Sequence, residues 1–334
     1  MIDLNKVKVT ILGSGTWGTA LANLLAAKHV DVLLYSRFEN EKNEYESTRR
    51  HPHLSGVEIH KDIKFTCDLE YALKDRDIIL LACPSLYVRE TCERLKPYHN
   101  KNQIFISVAK GIESHTLLTM TQVIEDVLGD VQTCSLSGPT HAEEVSIGLP
   151  TLIVASSSSK EVAETVQQVF SSPTMRVYTN TDINGVELCG ALKNIIALAS
   201  GMSRGLGFGD NAQAAIITRG LNEIITLGTA MGCHIKTFSG LTGIGDIVVT
   251  ASSRHSRNFN AGILLAQGKS LEETLKEVGM VVEGINALVA AKELEKKYNV
   301  EMPITDAVYE VVYGHLKPKD VLPRLFGRSL KSEI

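Results

Sequence analysis

Short runs of β-branched and aliphatic residues punctuate the first half of the chain: Val7 to Leu12, Val32 to Tyr35, Ile78 to Ala82, Ile104 to Val108, Thr133 to Leu136, Thr151 to Ala155 and Met175 to Thr179. Between them, Thr19 to Lys28, Leu86 to Leu95, Leu117 to Leu128 and Lys160 to Phe170 carry apolar residues at helical spacing. Strands that alternate with helices predict a mainly parallel, doubly wound sheet with crossover helices. After about Thr181 the texture changes to long Ala, Leu, Ile and Gly patterns: Val186 to Met202, Asn211 to Met231, Ala261 to Gln267, Ala287 to Tyr298 and Thr305 to Tyr313. The second half is therefore expected to be all helical. Neither an internal repeat nor a Pro-rich linker separates the halves, and Ser156 to Ser159 reads as a strand-to-helix loop with a capping serine. The expected domains are residues 1–183, dinucleotide-binding, and 184–334, helical, with a soft boundary near residues 180 to 186.

At 334 residues, two domains are the starting expectation. Hydrophobic residues at 44% and charged residues at 22% place the chain among globular proteins rather than disordered or fibrous ones. Ile195 to Ala199 and Ile78 to Cys83 fall short of the ~20 apolar residues that cross a bilayer, so no membrane span is expected. The start of the chain has no apolar stretch with a cleavage site, which points to a cytoplasmic protein. Six scattered cysteines, with no C-x-x-C pair, read as reduced core thiols. With a formal charge of −4 and dispersed Lys and Arg, no stripe is available for a nucleic-acid backbone.

Gly13-Ser14-Gly15-Thr16-Trp17-Gly18 follows the first strand and opens the first helix, the order that a dinucleotide fingerprint requires. Gly13 would permit the tight turn, Gly15 would let the backbone approach a pyrophosphate, and Gly18 would let the helix pack closely. The second strand ends Leu34-Tyr35-Ser36-Arg37, with no carboxylate before Glu39. A guanidinium and a hydroxyl suit a 2′-phosphate, which favours NADP(H) with NAD(H) also open; the alternative is a solvated Arg37. Cys83-Pro84-Ser85 is either a loop passing under the cofactor or an ordinary turn.

Two lysines stand out. Lys110 sits at the carboxyl end of a central strand, where open α/β sheets bind ligands. Lys193 interrupts the apolar segment Val186 to Met202. A buried ammonium loses solvation and its pKa falls, which makes it a proton donor and acceptor near neutral pH. The alternative is a buried stem with its head in water.

Together with Ala109-Lys110-Gly111, Ser137-Gly138-Pro139-Thr140, Leu192-Lys193-Asn194, Gly205-Leu206-Gly207-Phe208-Gly209, Gly243-Ile244-Gly245-Asp246, Ser256-Arg257-Asn258 and Val281-Val282-Glu283-Gly284, the glycine turn resembles the bacterial NAD(P)-dependent glycerol-3-phosphate dehydrogenases along nearly the whole chain. The resemblance implies a Rossmann-type domain followed by an all-α domain of the 6-phosphogluconate dehydrogenase C-terminal-like kind. It implies oxidoreductase chemistry between dihydroxyacetone phosphate and sn-glycerol 3-phosphate, supplying phospholipid synthesis. By the same carry-over, Lys193 is the general acid and base and Lys110 polarises the ketone oxygen. Gly138, Thr140, Asp246, Ser256, Arg257 and Asn258 would join the lysines in holding the substrate. Gly13, Gly15, Thr16, Trp17, Gly18, Arg37, Lys110, Ala142, Arg257, Val281 and Glu283 would line the cofactor. No metal is implied, and a homodimer stays open.

The chemistry of the residues agrees in kind: Arg257 beside Ser256 and Asn258 offers a fork for a phosphate, though without the resemblance Ser252 to Asn260 reads rather as a solvated polar loop. Asp246 could hold a substrate hydroxyl or a lysine head, or simply cap a helix. His141 and Cys83 depart from the family pattern, and His141 is expected to pack beside the ligands rather than titrate. His51-Pro52-His53 reads as a solvated turn, Arg219 and Glu223 as an i, i+4 pair, and Gly190, Asn194, Ala197 and Gly201 as a small face for close helix packing. The rival functions are a reductase of another small oxo acid, such as ketopantoate or a 3-hydroxy acid type, and a non-catalytic NADP(H) sensor.

Overall fold

A computed structural model describes residues 6–314, 316–330 and 332. The chain forms two compact units, Met1–Glu113 with Leu118–Glu187 and Ser114–Leu117 with Leu188–Ile334.

The first unit runs β1 (Lys8–Leu12), α1 (Thr16–Ala26), β2 (Asp31–Tyr35), α2 (Glu39–Thr48), β3 (Lys64–Thr66), α3 (Leu69–Leu73) and β4 (Ile78–Leu81). It continues with α4 (Val88–Leu95), β5 (Ile104–Ser107), α5 (Met120–Leu128), β6 (Gln132–Ser137), α6 (Ala142–Ser146), β7 (Thr151–Ser156), α7 (Lys160–Phe170) and β8 (Met175–Asn180). The eight strands lie in the order β3-β2-β1-β4-β5-β6-β7-β8. All pairs are parallel except β6 with β7, so the last two strands run against the other six.

Both faces of the sheet are covered at β1, β2, β4 and β5, which explains why these strands read as continuous apolar runs, whereas β8 at the edge alternates buried and exposed positions. Val9, Ile11, Val32, Leu34, Ile78 and Leu80 face one core, with Leu21 and Leu25 of α1 and Val162 and Val166 of α7. Leu12, Leu33, Ile79 and Leu81 face the other, with Val88 and Leu95 of α4 and Val123 and Ile124 of α5. Each such side chain, fully buried, contributes about 1.5–3 kcal/mol. Strand order reverses between β1 and β4, and that switch point puts the ends of these two strands side by side.

The second unit is helical. It holds most of α8 (Ile183–Gly205), then α9 (Asp210–Ala230), α10 (Ile235–Phe238), α11 (Asp246–Ser252), α12 (Arg257–Ala266), α13 (Leu271–Val278), α14 (Glu283–Tyr298), α15 (Pro303–Val312) and α16 (Pro318–Phe326). The division between units falls inside α8, at Glu187 and Leu188, where one unbroken helix leaves no linker composition to read. Gly201 of α8 and Gly262 of α12 let their helices cross closely: a Cβ on Gly201 would stand 2.0 Å from the Phe259 carbonyl oxygen, and one on Gly262 2.2 Å from that of Leu198. The small face of α8 thus serves close helix packing.

Three expectations need correcting. The Ser252 to Asn260 stretch is helical from Arg257, with the Ser256 hydroxyl capping α12 by accepting from the Phe259 N–H. His51 is buried while Pro52 and His53 are exposed, so the expected solvated turn holds only for its last two residues. Glu223 does not complete a pair along α9. Its carboxylate is buried and accepts from the backbone N–H groups of Ile304 and Thr305 and the Thr305 hydroxyl, capping α15.

Candidate functional site

In the first unit, the end of β1 turns at Gly13 with φ of 123°, a conformation that favours glycine. A Cβ there would stand 2.8 Å from the Ala82 carbonyl oxygen, at the end of β4. At Gly18, in the first turn of α1, a Cβ would stand 2.1 Å from the Gly13 oxygen, so helix and turn touch backbone to backbone. Gly15 differs: it caps α1, is exposed, and a Cβ on it would meet nothing within 4 Å. The open space lies at a helix N-terminus, which favours anionic groups. These residues fit a pyrophosphate, the part of a dinucleotide that the glycine turn serves. Thr16 and Trp17 follow in α1, with Trp17 partly buried against the core.

Beside the turn, a carboxylate appears that the spacing did not reveal. Glu41, third residue of α2, reaches back to accept hydrogen bonds from the Ser14 hydroxyl in the glycine turn and the Ser36 hydroxyl just after β2. The Tyr45 hydroxyl donates to it from one turn on, at 3.1 Å. Burial raises the Tyr45 pKa, with Glu41 adding to the rise, so the phenol keeps its proton. The His51 ring lies tilted by 31° at 5.4 Å from the Tyr45 ring, and its Nδ1 accepts from the His53 N–H. Burial first, then His53, lowers its pKa. Arg37, next after Ser36, pairs with Glu90 at 2.9 Å, the two side chains 53% and 44% exposed.

Lys110, past the end of β5, donates to the Gly138 carbonyl at 2.9 Å, and the Thr140 hydroxyl donates to the same oxygen at 3.2 Å. The loops after β5 and β6 are thereby tied together, with Ala142 opening α6 just beyond. Among the described residues, no group of three or more His, Cys, Asp or Glu is placed to hold a metal ion, and no helix is long and apolar enough to cross a membrane.

In the second unit, Lys193 is buried on α8, with only 7% of its side chain exposed. Its ammonium donates to Asp246 Oδ1 and Thr250 Oγ1, each at 2.6 Å. Asp246 opens α11 after a π-helical turn, Leu241–Gly245, and its side chain is 1% exposed. Of the three uses foreseen for Asp246, holding a lysine head is seen directly. Thr250, one turn along α11, is a partner that sequence reasoning passed over, although its i, i+4 spacing from Asp246 puts both on one face.

Asn258 ties three helices together. Its side-chain amide donates to Asn194 Oδ1 at 3.0 Å and accepts from the Gly284 N–H at 2.8 Å, joining α8, α12 and α14. The beginnings of α12 and α14 are fixed by that bridge, and these beginnings carry Arg257, exposed, and Glu283, with Val281 just before. Ser256 is buried in its capping role.

Comparison with known proteins gives this two-part arrangement a family. The description "NAD-dependent glycerol-3-phosphate dehydrogenase N-terminus" matches residues 8–163 and its C-terminal counterpart residues 182–323. A glycerol-3-phosphate dehydrogenase [NAD(P)+] of Carboxydothermus hydrogenoformans is 50% identical over 337 residues, covering 99% of each chain. The Bacillus subtilis protein of the same name is 46% identical, over 98% of this chain and 96% of that one. The crystal structure of glycerol-3-phosphate dehydrogenase from Coxiella burnetii superposes with a TM-score of 0.93 at 34% identity, covering 97% of this chain and all of that one. With both halves matched and identity near one half along the full length, the chain belongs to the NAD-dependent glycerol-3-phosphate dehydrogenase family.

Proposed function

We propose that the protein catalyses reversible reduction of dihydroxyacetone phosphate to sn-glycerol 3-phosphate with NAD(P)H. The observation that carries this reading is the buried Lys193–Asp246–Thr250 cluster, in a family whose named members act on glycerol 3-phosphate. When bound, the nicotinamide supplies the hydride. Lys193 holds the proton that the ketone oxygen gains on reduction, and takes it back in the reverse direction. The Asp246 carboxylate and the Thr250 hydroxyl fix the ammonium in place, so no reorganisation is needed when the proton moves. Lys110 acts as the cation that orients the ketone, aimed by its bond to Gly138, with Thr140 beside it. Arg257, the exposed guanidinium opening α12, takes the substrate phosphate, for which its planar fork and the helix N-terminus are both suited. Gly13, Gly15, Thr16, Trp17, Gly18, Arg37 and Ala142 line the dinucleotide in this reading, with Val281 and Glu283. Ser256 and Asn258 stand beside Arg257 and join it in holding the substrate: the Ser256 hydroxyl, which accepts in the cap, keeps its proton to donate, and the Asn258 amide keeps a second N–H beyond the bridge.

The test follows the absorbance of the reduced nicotinamide of NADPH and NADH, with dihydroxyacetone phosphate as substrate and ketopantoate as control. Oxidation of either cofactor with the phosphorylated ketone and none with ketopantoate is expected. Turnover of ketopantoate alone would assign the chain to the oxo-acid reductases, and turnover of neither would leave only the sensor reading.

A further inference from the structure

The geometry points to Glu41 as a cofactor-specificity residue: its carboxylate takes the ribose hydroxyls of the adenosine half and, with Glu90 holding Arg37, weighs against a 2′-phosphate. The inference deepens the reading above and rests on it only for the binding of a nicotinamide dinucleotide.

Four observations carry it. In this fold the pyrophosphate lies on the glycine turn and the adenosine ribose at the end of the second strand, where an acidic residue selects a free 2′-hydroxyl. One carboxylate oxygen of Glu41 touches both places at once, accepting from Ser14 in the turn and Ser36 beyond β2. Glu41 is partly exposed, so the carboxylate that the two serines and Tyr45 orient still borders solvent, where a ribose would lie. Lastly, the cation best placed to attract a 2′-phosphate, Arg37, is already paired with Glu90. A phosphate entering there meets one negative charge and must draw the guanidinium from another. A ribose with free hydroxyls meets an acceptor held ready for it.

The linear sequence concealed this because no carboxylate follows β2 before Glu39. A glutamate in the third position of a helix characteristically reaches back past the helix start. Here that return brings Glu41 to Ser36, five positions upstream.

The test is direct binding of NADH and NADPH to the intact protein by fluorescence titration, without substrate. A failure of the dihydroxyacetone phosphate assay is thereby kept apart from a failure of this assignment. The quantity read is the ratio of the two dissociation constants, NADPH over NADH. Glu41→Gln keeps size and hydrogen-bonding capacity but removes the charge, and is expected to lower that ratio by about tenfold or more, the scale of a like-charge contact removed from a binding surface. Glu90→Gln, at a half-exposed position where folding is not at stake, releases Arg37 and lowers the ratio by about threefold, as loss of one exposed ion pair permits. A purely structural role for either residue would weaken both cofactors alike and leave the ratio where it was. A ratio unmoved in either variant overturns the assignment, and if Glu41→Gln does not fold, Glu90→Gln decides alone.

Discussion

At the scale of the residue, the structure changes what a lysine substitution should do. Lys193 and Asp246 are both buried and bonded to each other, so removing the ammonium strands a carboxylate inside the second unit. Breaking a buried pair from one side costs about 3–5 kcal/mol, because the remaining charge has lost its compensation. Lys193→Ala should therefore lose turnover by about 1,000-fold or more and also lower the melting temperature of the protein. Adding Asp246→Asn should restore most of the melting temperature and none of the turnover. Calorimetric scans and initial rates on the two variants separate the effects; a double variant no more stable than the single one would show that the pair is not the source of the loss. The sequence marked Lys193 by its contrast with apolar neighbours, and marked Asp246 by its glycine turn. It offered a lysine head as one use of Asp246 without saying which lysine, since 53 positions separate the two and only the folding of α11 against α8 brings them within 2.6 Å. Glu41 was hidden for a related reason: a side chain that folds back along a helix reverses the order in which the chain presents it.

Elements were legible where one physical signal dominated. β1, β2, β4 and β5 follow apolar runs because the sheet is covered on both faces there, while β8 follows an alternating one at the edge. β3, three residues long, carries too short a run to register, and α2, Glu-Asn-Glu-Lys-Asn-Glu-Tyr-Glu-Ser-Thr, buries only Tyr45 and so has no apolar period at all. The first helix begins at Thr16, not Thr19, because the fingerprint glycines belong to its cap and first turn, and glycine is a weak sign of a helix on propensity alone. The element-scale prediction lies there. In Gly18→Ala, the new methyl would stand 2.1 Å from the Gly13 oxygen, so α1 and the turn must move apart. Overpacking of this kind costs about 1–3 kcal/mol, and for a unit of this size each kcal/mol lowers the melting temperature by about 2–4 °C. Displacing the helix N-terminus from the turn also removes the N–H groups that a pyrophosphate needs, so NADH affinity should fall at least about tenfold, the scale of one lost charge-assisted hydrogen bond. Gly15→Ala, whose methyl points into open space, should leave the melting temperature unchanged while still weakening NADH. Equal melting losses in the two variants would remove the distinction drawn between a glycine needed for packing and one needed for a ligand.

For the molecule as a whole, the two buried glutamates outside the proposed chemistry set a pH dependence. Glu187 accepts from the backbone N–H and hydroxyl of Thr121 in the first turn of α5, and Glu223 caps α15. Burial outweighs these hydrogen bonds and raises both from 4.5 to about 7. A carboxyl whose pKa is higher folded than unfolded binds more protons in the native state between the two values, so stability falls as pH rises from about 4.5 to about 7 and is level beyond. Over that window each glutamate withdraws about 3 kcal/mol, at roughly 1.4 kcal/mol per pKa unit. Glu187→Gln removes the ionisation and keeps both kinds of hydrogen bond to Thr121, its amide oxygen accepting from the N–H and its amide nitrogen donating to the hydroxyl. The variant should match the wild type near pH 4.5 and exceed it at pH 8, with melting temperatures measured across that range diverging between the two. Other groups add slopes of their own, Glu273 for one being lowered by its bonds to Ser270, but they are common to both proteins and cancel in the difference. Parallel melting curves would mean that Glu187 stays charged in the folded protein, and that the N-terminal N–H groups of α5 compensate for its burial.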